Sequence, residues 1–144
     1  MSRSLEFRIR NEIAELATIR DALDRLGGEL SIPARTLMQL QVALDEIAGN
    51  AIRYAWPDGA VGEVEVRVTV RPEDVTLDIL DDGISFDPRD TPEPAPSDQR
   101  PGPGGIGIHM VKQLVDGFTW RRVDGRNHTT LTIECIADTA AKQE

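Results

Sequence analysis

The stretch ALDEIAGNAIRYAW, residues 43–56, decides the fold because it combines a core-packing helix with two polar side chains. Small and aliphatic residues recur every three to four positions, which is typical of a helix with one buried face. Glu46 and Asn50 stand among them, and their i, i+4 spacing places both on one helix face. The Asn50 oxygen could coordinate a hard cation and leave the Glu46 carboxylate free to polarise a nucleophile. From these residues alone, the alternative is a helix edge at which both groups meet water.

The composition of the 144 residues fits one domain with an aliphatic core. Hydrophobic residues make up 40 % of the chain, and the formal net charge is −9. A nucleic-acid-binding surface needs a basic patch, so this charge argues against a nucleic-acid partner. We find no apolar run that predicts a membrane span and no basic-then-apolar leader that predicts a signal peptide. The single cysteine, Cys135, excludes an internal disulfide and favours a reducing cytoplasm.

The hydrophobic period changes along the chain and predicts an α+β fold. Alternating apolar residues predict strands at 5–9, 64–70, 75–79, 118–123 and 129–135. Helical spacing predicts helices at 13–26, at about 31–54 with Ser31 as the cap, and at 106–115. We therefore expect a two-layer α/β sandwich, in which helices cover one face of a mixed, mainly antiparallel sheet.

A long segment between the predicted strands and the last helix stands apart in composition. Residues 87–104 contain most of the prolines and show no apolar period. So long a loop inside a compact domain is often functional, and we expect a mobile lid at about 87–104. The sequence therefore predicts one domain, 1–137, followed by a frayed tail, 138–144.

The second polar cluster is ILDDGISFDP, residues 79–88. A predicted strand ends at Asp81, and Gly83 permits a close backbone approach or a positive φ. A carboxylate in this position can accept a hydrogen bond from a planar amine such as adenine N6. From these residues alone, an ordinary Asp-Gly turn is an equally good interpretation.

The third cluster is GPGGIGIHMVKQL, residues 102–114, a glycine run that opens a helix. Glycines let backbone amides and the positive end of a helix approach phosphate oxygens. Gly102, Gly104 and Gly107 match the dinucleotide pattern G-x-G-x-x-G. The run follows a proline-rich loop and not a strand, and Pro103 removes an amide donor, so we do not expect a dinucleotide site. A flexible linker with a helix cap is the alternative.

Together and in this order, the three clusters resemble the N-box and the two glycine boxes of a known ATPase family. That family includes gyrase, the heat-shock chaperone, histidine kinases and MutL. The short chain, with DDGISFDP followed by GGIGIHMVKQLVD, is most similar to bacterial anti-sigma factor serine/threonine kinases. The resemblance covers nearly the whole chain. It implies a Bergerat-type ATP-binding fold with the nucleotide between the helix layer and the lid.

The resemblance also implies a role for each matched position. Glu46 would be the general base, and Asn50 would hold a Mg²⁺ ion that bridges the phosphates of ATP. Asp81 would accept a hydrogen bond from the adenine amine, and Gly83 would make room for the base. The other nucleotide-binding positions implied in this way are Arg53, Tyr54, Arg100, Gly104, Gly105, Ile106, Gly107 and Thr132. One departure concerns the lid arginine, because family members often carry it directly before the second glycine box, where this chain has Pro103.

The function implied by the resemblance is that of a cytoplasmic, Mg-ATP-dependent anti-sigma regulatory factor. Such a protein phosphorylates an anti-anti-sigma protein and sequesters a sigma factor, and the family leads us to expect a homodimer. The alternative is a nucleotide-gated binding module that sequesters a partner without phosphoryl transfer. An intact Glu46 favours the kinase, since a pure binder has no need of a base. Neither His109 nor His128 has the surroundings of a phosphoacceptor.

Overall fold

The computed structural model of the protein describes residues 2–90 and 106–135. Within these ranges three α-helices pack on a five-stranded sheet. The strands are β1 (Arg3–Arg10), β2 (Glu63–Val70), β3 (Asp74–Asp81), β4 (Gly117–Val123) and β5 (Arg126–Glu134). The helices are α1 (Leu16–Leu26), α2 (Ala34–Tyr54) and α3 (Ile106–Leu114), with short 3₁₀ turns at Ile13–Glu15 and Pro88–Asp90. The predicted α/β sandwich is confirmed.

The sheet is antiparallel throughout the described residues, in the order β1-β2-β3-β5-β4. The prediction of a mixed sheet is therefore wrong. The strands β3 and β4 do point in the same direction, but β5 lies between them and pairs antiparallel with each. A tight turn makes this possible, because Asp124 and Gly125 have φ values of 54° and 75° and return the chain directly from β4 into β5.

The helix α2 forms the centre of the apolar layer. Its side chains Leu40, Leu44 and Ile47 are at most 2 % exposed. They meet alternate residues of the sheet, as the period of two along a strand requires. The buried sheet residues on this face include Val64, Val66, Val68, Leu77, Ile79, Leu131 and Ile133. In the described ranges, no helix is both long and apolar enough to cross a lipid bilayer.

The connection between α1 and α2 differs from the prediction in its cap. The helix α2 begins at Ala34, and Pro33 occupies its N-cap position without a side-chain hydrogen bond. Ser31 is no cap, because its φ of 58° lies in the left-handed region. The turn closes instead through the backbone, where the Ile32 N–H donates to the Gly27 carbonyl at 3.0 Å. This arrangement places the apolar stripe of α2 against the sheet without help from a side-chain cap.

Truncation of the α2 core contact should destabilise the fold strongly. Leu44→Ala should lower the free energy of unfolding by about 2–5 kcal/mol, because it removes buried methyl groups and leaves a cavity. Met38→Ala on the same helix is the matched control, since Met38 is 51 % exposed, and a surface change costs within about 0.5 kcal/mol. Urea unfolding measures both variants. Equal losses for the two would contradict the described packing of α2.

Candidate nucleotide site

The polar face of α2 is buried inside the protein. Glu46 is 4 % exposed and Asn50 is fully buried, so neither group lies at a helix edge in bulk water. Three buried side-chain atoms in the described ranges lack a hydrogen-bond partner, namely Gln41 Oε1 and both Nδ2 and Oδ1 of Asn50. An unpaired buried polar atom costs about 1–3 kcal/mol. An amide with both ends unpaired therefore fits a position that binds a ligand.

The first turn of α3 packs directly against this face. Ile106 begins α3, and Gly107 follows in its first turn. A methyl group built on Gly107 would overlap the carboxylate of Glu46, so the chain needs a glycine to bring α3 this close. Since Glu46 is buried, its carboxylate has little room to retreat. The structure thus brings the predicted residues Glu46 and Gly107 together.

The last turn of α2 carries the two remaining residues predicted on this helix. The guanidinium of Arg53 folds back along the helix over Gly49, and the i, i+3 spacing puts Arg53 on the side of Asn50. Arg53 is exposed, so its positive charge remains accessible to solvent on this side of α2. Tyr54 is half-buried, and its ring centroid lies 5.8 Å from that of Phe86. Tyr54 therefore packs on the segment that follows β3.

At the end of β3, the Asp81 carboxylate is 5 % exposed. Its Oδ1 accepts hydrogen bonds from the Gly83 N–H and from Asn127 Nδ2, each at 2.9 Å. No described residue donates to its Oδ2. Burial raises the pKa of Asp81, although the bonds from Asn127 and Gly83 oppose the shift.

Gly83 serves the close approach predicted for it. A methyl group at this position would overlap the backbone carbonyl of Ala55. The overlap involves backbone atoms and cannot be relieved by a side-chain rotation. The Ile84 N–H donates to the same carbonyl at 2.8 Å, and this bond ties the loop after β3 to the end of α2.

A narrow cavity separates α2 from the ends of β3 and β5. It is lined by Ile47, Ala51, Ile79, Asp81, Phe86, Pro88, Asn127 and Thr129. Its volume is about 10 Å³, roughly the space of one water molecule. A purine base is much larger, so it could enter only if a lining segment, such as the one with Phe86 and Pro88, moved outward.

Thr132, which was predicted near the adenine, does not line this cavity. Along β5 the side chains of Asn127 and Thr129 face the helices, whereas Thr132 faces the open side of the sheet, opposite Thr76. The reason is the period of two along a strand, since an error of an odd number of positions moves a side chain to the other face. The threonine that lies beside Asp81 in the cavity is Thr129.

The sequence analysis missed Asn127 and Thr129. Both occupy inward positions of the strand RNHTTLTIE, where the alternation otherwise places apolar residues such as Leu131. Two polar residues on the buried face of a predicted strand were the available signal. This signal was overlooked because Asn127 directly follows turn residues, and Asn is itself common in turns.

Part of the predicted site lies outside the described residues. This applies to Arg100, Gly104 and Gly105, to most of the lid, and to the tail 138–144. Among the described residues, no group of three or more His, Cys, Asp or Glu side chains could hold a metal ion. A Mg²⁺ ion at Asn50 would therefore take most of its ligands from nucleotide phosphates and water, as Mg²⁺ commonly does.

Comparisons of the sequence with known proteins identify the family. Residues 9–133 match the family described as histidine kinase-like ATPase domain. The chain is 30 % identical over 101 residues to the serine/threonine-protein kinase BtrW of Bordetella bronchiseptica. This alignment covers 69 % of this chain and 71 % of that protein. It is 25 % identical over 136 residues to the serine-protein kinase RsbW of Bacillus subtilis, which covers 90 % of this chain and 81 % of that protein. The family resemblance inferred from the three clusters is confirmed.

The same fold occurs in a solved structure. The crystal structure of the RsbU and RsbW domains of a Mycobacterium tuberculosis protein superposes with a TM-score of 0.64 at 17 % identity. The match covers 91 % of this chain and 32 % of the solved one, so this chain spans about a third of that protein. At this identity the likeness shows the fold alone, and it extends over the whole sandwich.

The buried carboxylate of Asp81 should reduce the stability of the protein at neutral pH. Asp81→Asn should raise the free energy of unfolding at pH 7 by about 0.5–1 kcal/mol, since the amide keeps an acceptor for Gly83 and Asn127 and carries no charge to bury. The raised pKa means that the folded state retains this proton to a higher pH than the unfolded chain. The penalty is absent below the unfolded pKa and grows as the pH rises through the folded pKa.

The advantage of the Asp81→Asn variant should accordingly shrink on acidification. Denaturant unfolding across a pH series measures it, with the exposed neighbour variant Asp82→Asn as the control. A variant that is less stable than the parent at pH 7 would show that the carboxylate is a net stabilising group.

Proposed function

Since this chain belongs to the family of histidine kinase-like ATPase domains, we propose that it is a Mg-ATP-dependent serine/threonine protein kinase of the anti-sigma type. The kinase phosphorylates an anti-anti-sigma protein and sequesters a sigma factor. Relatives named serine-protein kinase, matched over most of their length, support this function. A sigma factor acts in the cytoplasm, so the proposal places the protein there. The observation that carries the proposal is the buried pair Glu46 and Asn50.

Asn50 fits the role of the Mg²⁺ ligand. Its Oδ1 is an unpaired hard oxygen donor inside the protein, and Mg²⁺ prefers oxygen ligands that it shares with nucleotide phosphates. The bound ion would neutralise charge on the transferred phosphoryl group. Arg53, whose guanidinium lies over Gly49 on the same side of α2, adds a positive charge near the phosphates.

Glu46 fits the role of the general base. A phosphoryl transfer depends mainly on position and on charge neutralisation, with a carboxylate to accept the proton of the attacking hydroxyl. Glu46 would take that proton as the serine oxygen bonds to the γ-phosphorus and the bond to the ADP oxygen breaks. The close approach of Gly107 restricts the Glu46 carboxylate to one side of the site. A binding module without phosphoryl transfer has no use for this arrangement.

Asp81 and Gly83 fit the recognition of adenine. The Oδ2 atom of Asp81 has no donor among the described residues, and Asp81 lines the cavity between α2 and the sheet. Adenine N6 is a donor that would pair with this oxygen, whereas guanine presents a carbonyl there and would face a carboxylate. The site is therefore selective for ATP over GTP.

The histidines support transfer to another protein and not to the chain itself. His128 lies on the open face of the sheet, and its Nε2 is 2.8 Å from Asp78 Oδ1. His109 is an exposed residue of α3. The sheet separates His128 from Glu46, and this agrees with a serine or threonine acceptor supplied by a partner.

The Asn50 assignment predicts opposite effects on affinity and stability. Asn50→Ala should weaken Mg-ATP binding at least about tenfold, roughly 1.4 kcal/mol. It should leave the stability of the nucleotide-free protein unchanged or raise it, because two unpaired buried polar atoms disappear. Calorimetry and thermal unfolding measure the two quantities. Gln41→Ala, which removes a half-buried amide from the far side of α2, is the control for affinity. Unchanged affinity in Asn50→Ala would exclude Asn50 as a ligand.

The Glu46 assignment predicts that binding and transfer separate. Glu46→Gln keeps the shape of the side chain, so Mg-ATP affinity should change little, whereas the loss of the base should slow phosphorylation by roughly 10²–10⁴-fold. The assay combines γ-labelled ATP with acceptor-domain proteins of the same genome. Asp45→Asn, an exposed change one residue away, is the control. Normal transfer by Glu46→Gln would remove Glu46 as the base. Absence of transfer by the unaltered protein, with Mg-ATP binding intact, would favour the nucleotide-gated binder.

A further inference from the structure

Asn127 is a buried polar side chain with several hydrogen bonds at the candidate site. It is 3 % exposed and makes four hydrogen bonds, which use both ends of its amide. Its Nδ2 donates to Asp81 Oδ1 at 2.9 Å and to the Ile84 carbonyl at 2.7 Å. Its Oδ1 accepts from the Phe86 N–H at 3.1 Å and from Trp120 Nε1 at 3.3 Å. An amide offers two donors and one acceptor oxygen with two lone pairs, so every site is used.

These bonds connect the parts of the cavity that would contact a base. Asp81, Ile84 and Phe86 belong to the end of β3 and the loop after it, and Asn127 comes from β5, 46 residues later than Asp81. Arg122 of β4 adds a bond to the Gly83 carbonyl at 2.8 Å, but Arg122 is exposed and holds only the outer side of the loop. Among the described residues, the side-chain hydrogen bonds of Asn127 join the Asp81 carboxylate to Ile84 and Phe86 of the loop.

The bond from Asn127 also selects which oxygen of Asp81 faces the cavity. Because Oδ1 accepts from both Asn127 and Gly83, the carboxylate cannot rotate without the loss of two bonds. The other oxygen, Oδ2, is left as the acceptor for a ligand. The donated bonds also favour the charged carboxylate, which accepts from a base amine, over the protonated acid, which would donate to a base carbonyl.

We infer that Asn127 is the positioning residue that sets the purine preference of the site, acting through Asp81. The inference rests on the proposed function, since it assumes that the cavity binds the base of ATP. Asn127 itself need not touch the nucleotide. Its amide fixes the orientation and the charge of Asp81, and through Ile84 and Phe86 it fixes the loop that must move when the base enters.

Asn127→Asp tests this inference by replacing a single heavy atom, the amide nitrogen, with oxygen. The variant keeps the size of the side chain and an oxygen for Phe86 and Trp120, but its ionised carboxylate cannot donate to Asp81 or to the Ile84 carbonyl. When this new carboxylate is ionised, its negative charge favours the protonated form of Asp81, which would donate to guanine O6. We expect the ratio of the dissociation constants for Mg-GTP and Mg-ATP to fall at least tenfold. The ratio of the two dissociation constants is the informative quantity, because the added negative charge weakens the binding of both nucleotides to the same extent.

Asn11→Asp is the matched control. Asn11 also joins a loop through its amide, donating from Nδ2 to the Ala60 carbonyl at 2.8 Å and accepting from the Gly62 N–H at 3.0 Å. The same substitution there removes a similar bond and adds the same charge, but Asn11 does not contact Asp81. Its nucleotide ratio should equal that of the unaltered protein. Asn127→Ala, which adds no charge, should repeat the loss of preference if Asn127→Asp does not fold.

The outcomes separate the inference from the proposed function. An unaltered protein that binds Mg-ATP and Mg-GTP equally would overturn both the adenine assignment and the inference. An unaltered protein that prefers Mg-ATP, with the same preference in Asn127→Asp or in a folded Asn127→Ala, would overturn the inference alone. A loss of preference in Asn11→Asp as large as that in Asn127→Asp would likewise overturn it, because the effect would then be one of general loop stability.

Discussion

The burial of a polar helix face is the constraint on which the rest of the structure depends. The helix α2 must pack Leu40 and Leu44 against the sheet, and one turn later it must keep Glu46 and Asn50 away from water. Such groups are costly in an apolar layer unless something pairs with them. The neighbouring elements are shaped accordingly. The helix α3 approaches through Gly107, the loop after β3 approaches through Gly83, and both glycines place backbone where any side chain would collide.

Much of the site could be predicted because its residues are close in sequence. Glu46 and Asn50 lie one helical turn apart, so their shared face follows from helix geometry alone. Asp81 and Gly83 mark the end of a strand whose alternation is regular, and Gly107 lies in the first turn of a helix after a glycine run. In each case, a local period fixes the direction of the side chain. The family resemblance then supplied roles that no local period contains.

The residues that sequence analysis missed depend on long-range pairing. Asn127 reaches Asp81 only because β5 inserts beside β3, and nothing in the strand itself specifies its neighbour. The error at Thr132 has a related cause, since the inward face of β5 is defined by which strand it joins and in what register. The antiparallel sheet also depends on this insertion, because β5 keeps β3 and β4 apart. Local sequence thus located the candidate polar face of α2, whereas the residues that line the cavity beside Asp81 could be identified only from the topology.

The position of β5 has a consequence for the nascent chain during synthesis. Among the described strands it is the last to be synthesised, but it lies inside the sheet, between β3 and β4. The ribosome synthesises the chain from its N-terminus. The edge of β3 that later pairs with β5 therefore has unpaired hydrogen-bonding groups while α3 and β4 are synthesised. An exposed strand edge of this kind can pair with other chains and aggregate. Rapid folding or binding by chaperones limits this aggregation. Until β5 pairs with β3, Asp81 lacks its hydrogen bond from Asn127, so the polar cluster at the end of β3 is completed only when β5 joins the sheet.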